Sequence, residues 1–354
     1  MPDHLFSTRL VQWFLKNARA MPWRVLKGRA DPYRVWISEI MLQQTTVAAI
    51  LNRYEQWLNV YPSIQTLASS SEQGVLKEWQ GLGYYSRARN LLKCAQLLVA
   101  TNKGQLPDTA DELQELPGFG PYTAAAVASI AFNRPVPLVD ANVRRVMMRV
   151  LAIRAKASTQ YDRRILNRLS SIIPARHPGH FNQAMMELGA LICRSNEPLC
   201  NQCPVRPFCK AYARGIQELI PEPKIKIIKK IEAVVAIIQV KNKILIRQRP
   251  EKGLLAGLWE FPGGKIEPQD QSPQEALKRE VLEETGLKVC VHSKIAQVVH
   301  YYTQFKVKLT AFDCSCEENI RQTSRLQLVS KKDLKKYPMP SGSAKLVDKY
   351  ILRT

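Results

Sequence analysis

The sequence is poor in acidic residues and lacks long apolar runs. Its 354 residues include 30 Asp and Glu against 52 Lys and Arg, which gives a formal net charge of +22 at pH 7. Residues 1–223 and 224–354 each carry +11, so the charge is not confined to a tail. Such an excess favours a polyanionic partner, with nucleic acid ahead of a membrane surface. Because no stretch of about 18 apolar residues occurs, we expect no transmembrane helix.

The sequence also lacks a recognisable secretory leader and paired cysteines spread along the chain. Asp3, Arg9 and Lys16 interrupt the apolar N-terminal stretch, so we expect no signal peptide. Four of the eight cysteines lie within residues 193–209, and the others are scattered. This distribution does not fit a secreted disulfide scaffold. It fits a cytosolic protein with one metal site better.

Two regions of the chain differ in their hydrophobic pattern. In residues 1–220 apolar residues recur every three or four positions, which predicts helices at 5–15, 35–60, 87–99, 122–132, 143–152 and 181–192. Proline and lysine predict a linker at 221–232. Residues 233–354 form an α/β pattern, with strands predicted at 233–240, 243–247, 288–291, 295–302 and 306–313, and helices at 272–285 and 343–352.

The clustered cysteines have the spacing of a metal-binding loop. They follow the pattern C-x6-C-x2-C-x5-C and comprise Cys193, Cys200, Cys203 and Cys209. Zinc sites usually contain two CxxC pairs, and only one occurs here. A cubane iron–sulfur cluster also takes four thiolates. The residues alone leave zinc, an iron–sulfur cluster and free structural cysteines as alternatives.

A glycine hairpin in residues 116–124 joins two predicted helices. Gly118 and Gly120 allow a tight turn, and Pro121 is suited to the first position of the next helix. The free N–H groups at that helix start favour binding of a phosphate. A G-x-G turn alone is also compatible with any helix–turn–helix.

Two carboxyl groups stand out in apolar surroundings. Glu39 interrupts an apolar helix and shares a face with Gln43, so burial would raise its pKa and keep it protonated near neutrality. Asp140 precedes a basic helix. The structural alternatives are an exposed helix glutamate for Glu39 and a helix N-cap for Asp140.

Taken in order, these motifs resemble the MutY family of adenine DNA glycosylases in the helix-hairpin-helix superfamily. The shared features are the S-E-x-M-L-Q-Q-T helix, the L-P-G-x-G hairpin, the aspartate of V-D-x-N-V-x-R and the cysteine loop. The resemblance covers most of residues 1–215. It implies an all-α helix-hairpin-helix domain that holds a 4Fe-4S cluster and removes adenine paired with 8-oxoguanine or guanine in duplex DNA.

The resemblance also implies roles for individual residues. The target adenine must leave the base stack. Protonated Glu39 would donate to N7 of adenine, and ionised Asp140, oriented by Asn142, would stabilise or trap the cationic sugar. Tyr84 or Gln44 would wedge into the stack, and the hairpin would hold a phosphate. The full implied DNA-contacting set in this domain is Gln43, Gln44, Tyr84, Arg87, Gly118 and Gly120.

The residue at position 122 distinguishes two classes within the superfamily. Bifunctional relatives such as endonuclease III carry a lysine there, which forms a Schiff base and leads to strand cleavage. Here the residue is Tyr122, and no lysine occurs between Lys103 and Lys156. We therefore predict a monofunctional glycosylase that leaves an abasic site. Tyr122 would form a hydrogen bond near Asp140 or the sugar.

The second domain resembles a Nudix box. Residues 279–287 match R-E-U-x-E-E-x-G-U, where U is apolar, and Glu280, Glu283 and Glu284 would hold Mg²⁺ against a diphosphate. The alternative is an amphipathic helix with a charged side. Gln271 stands where the box has glutamate, and Asp270 is its candidate substitute. The domain is therefore either a module that recognises the oxidised base or a hydrolase of nucleotides such as 8-oxo-dGTP.

The loop that reads the lesion in MutY differs here. It corresponds to residues 300–305, where Thr303 keeps a hydroxyl and Gln304 replaces histidine. The alternatives to a glycosylase are a non-catalytic DNA-binding scaffold and a nucleotide pyrophosphatase on a helical DNA tether. The resemblance further implies a monomer that does not bind membranes, located in the bacterial cytoplasm with the nucleoid. The predicted domains are 1–220 and 233–354, joined by 221–232.

Overall fold

The computed structural model describes residues 3–223, 228–253, 255–302 and 305–352. The chain divides into two units. The first comprises Met1–Ser69 and Asn90–Ile225, and the second comprises Ser70–Arg89 and Lys226–Thr354. The first is helical and the second contains a sheet, which confirms the predicted order of an all-α domain followed by an α/β domain.

Helices account for the regular structure up to residue 223. They are α1 (Asp3–Asn17), α2 (Pro32–Leu42), α3 (Val47–Val60), α4 (Ile64–Ala68), α5 (Glu72–Glu78), α6 (Ser86–Asn102), α7 (Ala110–Gln114), α8 (Pro121–Ile130), α9 (Ala141–Val150), α10 (Asp162–Ile172), α11 (Pro178–Leu191) and α12 (Lys210–Ala213). In the first unit, α1, α8, α9, α10 and α11 share a core. The apolar faces that produced the sequence periodicity therefore pack together.

The long helix predicted at 35–60 is wrong, because it consists of α2 and α3 with a break between them. Gln44 lies in the left-handed region with φ 58°, which a continuous helix does not allow. Asp31 caps the start of α2 by accepting from the N–H groups of Tyr33 and Arg34. The break places Gln43 and Gln44 in a turn.

The second unit is built on one mixed sheet. Its strands are β1 (Lys229–Val240), β2 (Lys243–Gln248), β3 (Trp259–Glu260), β4 (Gly263–Lys265), β5 (Cys290–Tyr302), β6 (Phe305–Ser315) and β7 (Leu326–Ser330). The main order is β3-β2-β1-β6-β5, while β4 pairs with β1 and β7 pairs with β2. The β1–β6 pair is parallel, and the other pairs are antiparallel.

Helices cover both faces of this sheet. Helix α13 (Pro273–Thr285) packs on one face. Helix α14 (Ser341–Leu346) and a π-helical turn (Val347–Ile351) pack on the other. Apolar residues on alternate sides of β1 enter the two cores, which explains why that strand reads as a continuous apolar run. The unit is a helix–sheet–helix sandwich.

Three features of the second unit differ in detail from the sequence analysis. The strands predicted at 288–291 and 295–302 form the single strand β5, whose pairing with β6 shifts register between Val291 and Ala296. Strand β1 already begins at Lys229, inside the predicted linker 221–232. Residues 70–89 precede that linker in sequence yet fold with the sheet. The boundaries 1–220 and 233–354 stay a prediction.

Among the described residues, no helix is long and apolar enough to cross a membrane.

Candidate active site

Glu39 is buried in the middle of α2. Only 4% of the surface of Glu39 is exposed to solvent, so the alternative of an exposed helix glutamate is wrong. The Tyr122 hydroxyl donates to its Oε2 at 2.6 Å. Burial, with a smaller contribution from the charge of Asp140, raises the pKa of Glu39 to about 7, although Tyr122 and Arg24 oppose the shift. Glu39 can therefore hold a proton near neutral pH.

Asp140 caps α9 and also lines the cleft that contains Glu39. Its Oδ1 accepts from the Val143 N–H at 2.6 Å, and its Oδ2 accepts from Asn142 Nδ2 at 3.1 Å. Burial raises the pKa of Asp140, and these two donors together with the charge of Arg145 counteract that rise. The N-cap alternative is therefore correct, and it places this carboxylate at the positive end of a helix.

The two acids differ in the groups that stabilise their charge. Asp140 has backbone, amide and cationic support, whereas one hydroxyl donates to Glu39. The environment thus favours an anion at Asp140 more than at Glu39. Tyr122 was expected near Asp140 or the sugar, but its hydrogen bond is to Glu39.

The cleft has a volume of about 1110 Å³ and lies within the first unit. Helices α2, α8 and α11 and the start of α9 contribute side chains to its wall. Its predicted members Glu39, Gln43, Gln44, Gly118, Gly120, Tyr122, Asp140 and Asn142 all line it. The fold therefore collects residues from a helix, a hairpin and an N-cap that are up to about a hundred positions apart in sequence.

Four polar residues of the cleft were missed in the sequence analysis, namely Arg19, Arg24, Gln183 and Glu187. Glu187 pairs with Arg19 Nε at 2.8 Å and with Arg24 Nη2 at 3.1 Å. Gln183 accepts from Arg24 Nε at 3.3 Å. Burial alone would raise the pKa of Glu187. Hydrogen bonds from the two arginines outweigh this effect and lower that pKa to about 2. Glu187 interrupts an apolar helix as Glu39 does, and that was the available signal.

The hairpin and the turn after α2 shape one side of the cleft. Gly118 has φ 84°, and a Cβ there would lie 2.7 Å from Asn90 Cβ, so glycine is required. Gly120 is the N-cap of α8. Gln43 Nε2 donates to Thr123 Oγ1 at 3.0 Å, which ties the turn to the hairpin helix.

The other expected DNA-contacting residues lie in the second unit. The Arg87 guanidinium lies over the rings of Trp79 and Tyr84, at 5.1 and 5.6 Å from their centroids. Thr303 and Gln304 lie outside the described residues.

The four clustered cysteines line one small pocket together with Arg149. Arg149 Nη1 lies 3.3 Å from Cys193 Sγ, and backbone N–H groups donate to the sulfurs of Cys203 and Cys209. Burial raises the pKa of Cys203 to about 12. Among the described residues, no three or more His, Cys, Asp or Glu side chains are arranged to hold a metal ion. The four cysteines are thus brought together around one pocket.

An arginine connects this loop to Asp140. Arg145 Nε donates to the Cys193 carbonyl at 2.9 Å, and its Nη2 donates to Asn142 Oδ1 at 2.9 Å. Asn142 in turn donates to Asp140. The orientation of the aspartate thus depends on the cysteine loop through two side chains.

The carboxylates of the Nudix-like box contact arginines. Arg247 contacts both Glu284 and Glu260, and Arg279 lies 3.1 Å from Glu280 and 3.4 Å from Glu283. The N–H of Gly263 also donates to Glu284 at 3.0 Å. Burial raises the pKa of Glu284 to about 7.

The candidate substitute for the missing box glutamate is in the expected position. Asp270 pairs with Arg279 through two hydrogen bonds of 2.9 and 3.0 Å. The N–H of Gln271 donates instead to Glu275. Asp270 therefore anchors the box arginine, and Gln271 does not.

Two protein families match the chain, one in its N-terminal part and the other in its C-terminal part. Residues 37–172 match the HhH-GPD superfamily of base excision DNA repair proteins, and residues 233–349 match the NUDIX domain. The first match continues through residues 70–89, which fold in the second unit.

Curated relatives match most of the chain. The adenine DNA glycosylase of Mus musculus is 34% identical over 90% of this chain and 73% of its own length. The adenine DNA glycosylase of Homo sapiens is 36% identical over 88% of this chain and 67% of its own length. The enzyme of Buchnera aphidicola subsp. Baizongia pistaciae is 37% identical over 74% of both chains. Among solved structures, a thermostable thymine-DNA glycosylase has a TM-score of 0.54 and 26% identity, and it covers 60% of this chain and 97% of its own.

Proposed function

The chain belongs to the adenine DNA glycosylase family, and we propose that it excises adenine paired with 8-oxoguanine or guanine in duplex DNA. The observation that carries the proposal is the pair of buried acids on one cleft. One has a pKa of about 7, and the other is an N-cap carboxylate. A duplex does not expose the glycosidic bond of a paired base, so the adenine would be everted into the cleft.

Glu39 would act as the general acid. Below pH 7 it carries a proton that it would donate to N7 of the adenine, which makes the base a better leaving group. The Tyr122 hydroxyl would donate a hydrogen bond to Oε2 of Glu39. The proton that Glu39 donates to the adenine would then be on Oε1.

Asp140 would stabilise the sugar as it becomes cationic. Its support by Val143 N–H and Asn142 keeps the carboxylate oriented and charged. A fixed anion beside an oxocarbenium-like sugar lowers the free energy of the transition state. Alternatively, a carboxylate oxygen of Asp140 would form a bond to the cationic carbon of the sugar and so trap it.

The reaction would end at the abasic site. A lyase of this superfamily needs an amine at position 122, and the cleft presents Tyr122 there. No lysine occurs among the residues that line the described cleft. Strand cleavage by β-elimination therefore lacks its nucleophile.

DNA would be held by groups on both units. The N–H groups at the Gly118–Gly120 turn would bind a phosphate. Gln43, Gln44 and Arg87 would contact the duplex, and Tyr84 or Gln44 would enter the base stack. The monomeric state and the bacterial, nucleoid-associated location stay predictions.

We also propose that the four cysteines hold a 4Fe-4S cluster. In such a cluster each thiolate binds a different iron, and the four cysteines that line one pocket would supply the four thiolates. Bound there, the cluster would cross-link the loop. The test is visible absorbance from thiolate-to-iron charge transfer in the purified protein. A colourless protein that contains zinc would contradict it.

The second unit would recognise the base opposite the adenine, with Thr303 and Gln304 at the reading loop. The arginine contacts of the box carboxylates support recognition over Mg²⁺-dependent hydrolysis, because a guanidinium already contacts one oxygen of each of Glu280, Glu283 and Glu284. If Mg²⁺ did bind, Glu280, Glu283 and Glu284 would be its ligands.

The proposal is tested with a duplex that contains one adenine–8-oxoguanine pair. We expect strand breaks only after alkali, and Glu39→Gln should reduce the single-turnover rate by about 10²- to 10⁴-fold. Glu55→Gln, on the exposed side of α3, is the matched control and should retain the wild-type rate. Breaks without alkali would contradict the monofunctional reaction, and an active Glu39→Gln would contradict the general acid.

A further inference from the structure

Residues 70–89 match the glycosylase family in sequence but fold as part of the Nudix-like unit. The segment contains α5, a turn, and the first residues of α6. It also carries Tyr84, which the proposed function assigns to the base stack. The family match and the fold therefore assign this segment to different units.

The turn that carries Tyr84 has an unfavourable backbone. Gly81, Gly83 and Tyr84 all have positive φ, at 94°, 69° and 47°. A tyrosine in the left-handed region is strained unless its surroundings hold it there. Within the turn, Trp79 Nε1 donates to the Gly83 carbonyl at 3.0 Å, and Arg87 donates to the same carbonyl at 3.1 Å.

Residues of the Nudix-like sequence hold the turn from both sides. Trp259 Nε1 donates to Gln73 Oε1 at 3.3 Å on the N-terminal side. The Met339 N–H lies 3.4 Å from Gln80 Oε1, and the Tyr85 hydroxyl donates to the Met339 carbonyl at 3.3 Å. Met339 thus binds the residues before and after the strained positions through both of its backbone groups.

Gly257 packs closely against Arg89, the last residue of the segment 70–89. Arg89 pairs with Glu72 at 2.7 Å and donates to the Ala256 carbonyl. Gly257 has φ 68°, and a Cβ there would lie 2.6 Å from Arg89 Nη2. A side chain at position 257 would displace the guanidinium that ends the segment.

We propose that the Nudix-like unit is a positioning device for the turn that carries Tyr84. Through Met339, Trp259 and Gly257, it holds this residue in the conformation that enters the base stack. The inference rests on the proposed function, and it gives the second unit a role in excision besides reading the opposite base.

The test compares Gly257→Ala with Tyr84→Ala in the full-length protein. We expect each to slow single-turnover excision by about 10- to 100-fold, since an ångström-scale misplacement has effects of that order. The double variant should be no slower than Tyr84→Ala, because both changes remove the same interaction. A 2-aminopurine beside the mispair should report the same loss of unstacking in both. Gly286→Ala is the control, since Gly286 has φ 73° but nothing within 4 Å of its added Cβ, and it should retain the rate.

Hydrogen exchange distinguishes positioning from general damage. In Gly257→Ala the N–H groups of Leu82, Arg87 and Arg89, which are bonded within the segment, should exchange faster. The N–H of Phe119 in the hairpin should exchange at the wild-type rate. If Gly257→Ala does not fold, Tyr85→Phe removes the hydroxyl that donates to the Met339 carbonyl and should show the same pattern with a severalfold smaller effect.

Independent rate losses in the double variant, or wild-type exchange in a folded Gly257→Ala, would overturn the proposal. Failure of the proposed function would be visible separately, because the wild-type protein would then excise no adenine.

Discussion

The cleft of the first unit contains a buried carboxyl group, and the box of the second contains a partly buried one, and the pKa of each is raised to about 7. Glu39 accepts a hydrogen bond from a tyrosine and lines an open cleft. Glu284 contacts Arg247 and the N–H of Gly263. Burial is the main cause of the shift in both. A raised pKa therefore does not reveal the role of such an acid, whereas its hydrogen-bond and ion-pair partners do.

The partners matter because a guanidinium occupies the same oxygens that a metal or substrate would need. Arg247 and Arg249 both contact Glu260, and Arg279 contacts three acids of the box. Such contacts fix side chains and exclude ligands. Among the described contacts, Glu39 and Asp140 have no guanidinium at hydrogen-bond distance, unlike Glu187 in the same cleft, so these two acids remain available for chemistry.

The largest expected effect tests that contrast directly. Asp140→Asn should slow adenine excision by about 10²- to 10³-fold, because it removes the anion that stabilises the sugar cation. Glu284→Gln should leave the rate within about twofold, since its carboxylate has no part in the reaction. Single-turnover assays on the same duplex measure both. Comparable losses in the two variants would erase the distinction between cleft and box.

A second effect concerns the stability of the box. Arg247→Met leaves the partly buried Glu284 without a cation and the buried Glu260 with Arg249 alone, and it should lower the free energy of unfolding by about 2–3 kcal/mol. Lys335→Met is the control. It breaks an exposed pair with Asp348 and should produce no measurable change. Urea unfolding followed by fluorescence provides the values. An unchanged midpoint in Arg247→Met would show that these contacts are not structural.

A third effect separates the two acids by pH. Because protonated Glu39 is the active form and its pKa is about 7, the rate should fall about tenfold per pH unit above pH 7, and it should also fall at acid pH where Asp140 takes up a proton. Tyr122→Phe removes a donor that lowers this pKa, so the descending limb should move to higher pH. Tyr161→Phe, away from the cleft, should leave it in place. A profile that does not change with pH would rule out Glu39 as the acid.

The smallest expected effect is none. With Mg²⁺ and 8-oxo-dGTP, the wild-type protein should release no pyrophosphate above background, and Glu283→Gln should behave identically. The arginine contacts of the box are the physical reason. Release of pyrophosphate that disappears in Glu283→Gln would show a working Nudix site and contradict the structural role of these contacts.

Much of the fold followed from local patterns. Apolar periodicity predicted α1, α8, α9 and α11, and β-branched runs predicted β1, β2, β5 and β6, whereas the short strands β3, β4 and β7 were missed. The break at residues 43–46 was not predictable, because apolar spacing continues across it while the left-handed Gln44 comes from the packing of the turn. Local spacing from the box motif identified Asp270 as the candidate substitute for the missing glutamate, but only the structure showed that it pairs with Arg279.

The candidate site followed the same division. Glu39 and Asp140 are carboxyl groups next to apolar residues in the sequence, and the four cysteines are closely spaced. Sequence pattern and family resemblance therefore identified them. Arg24 has no such signal, because an arginine near an N-terminal helix is ordinary until the fold brings Glu187 beside it. The bond between Tyr122 and Glu39 joins residues 83 positions apart, and no local rule connects them.

By itself, the amino-acid sequence determined the helical and α/β halves, the residues able to do acid–base and metal chemistry, and the absence of a lysine for strand cleavage. These depend on side-chain chemistry and on periodicity over a few residues. Only the tertiary structure decided which buried acids have arginine partners and that residues 70–89 fold with the sheet. Both depend on contacts between distant parts of the chain, whose free energy is determined by packing and burial and has no local signature.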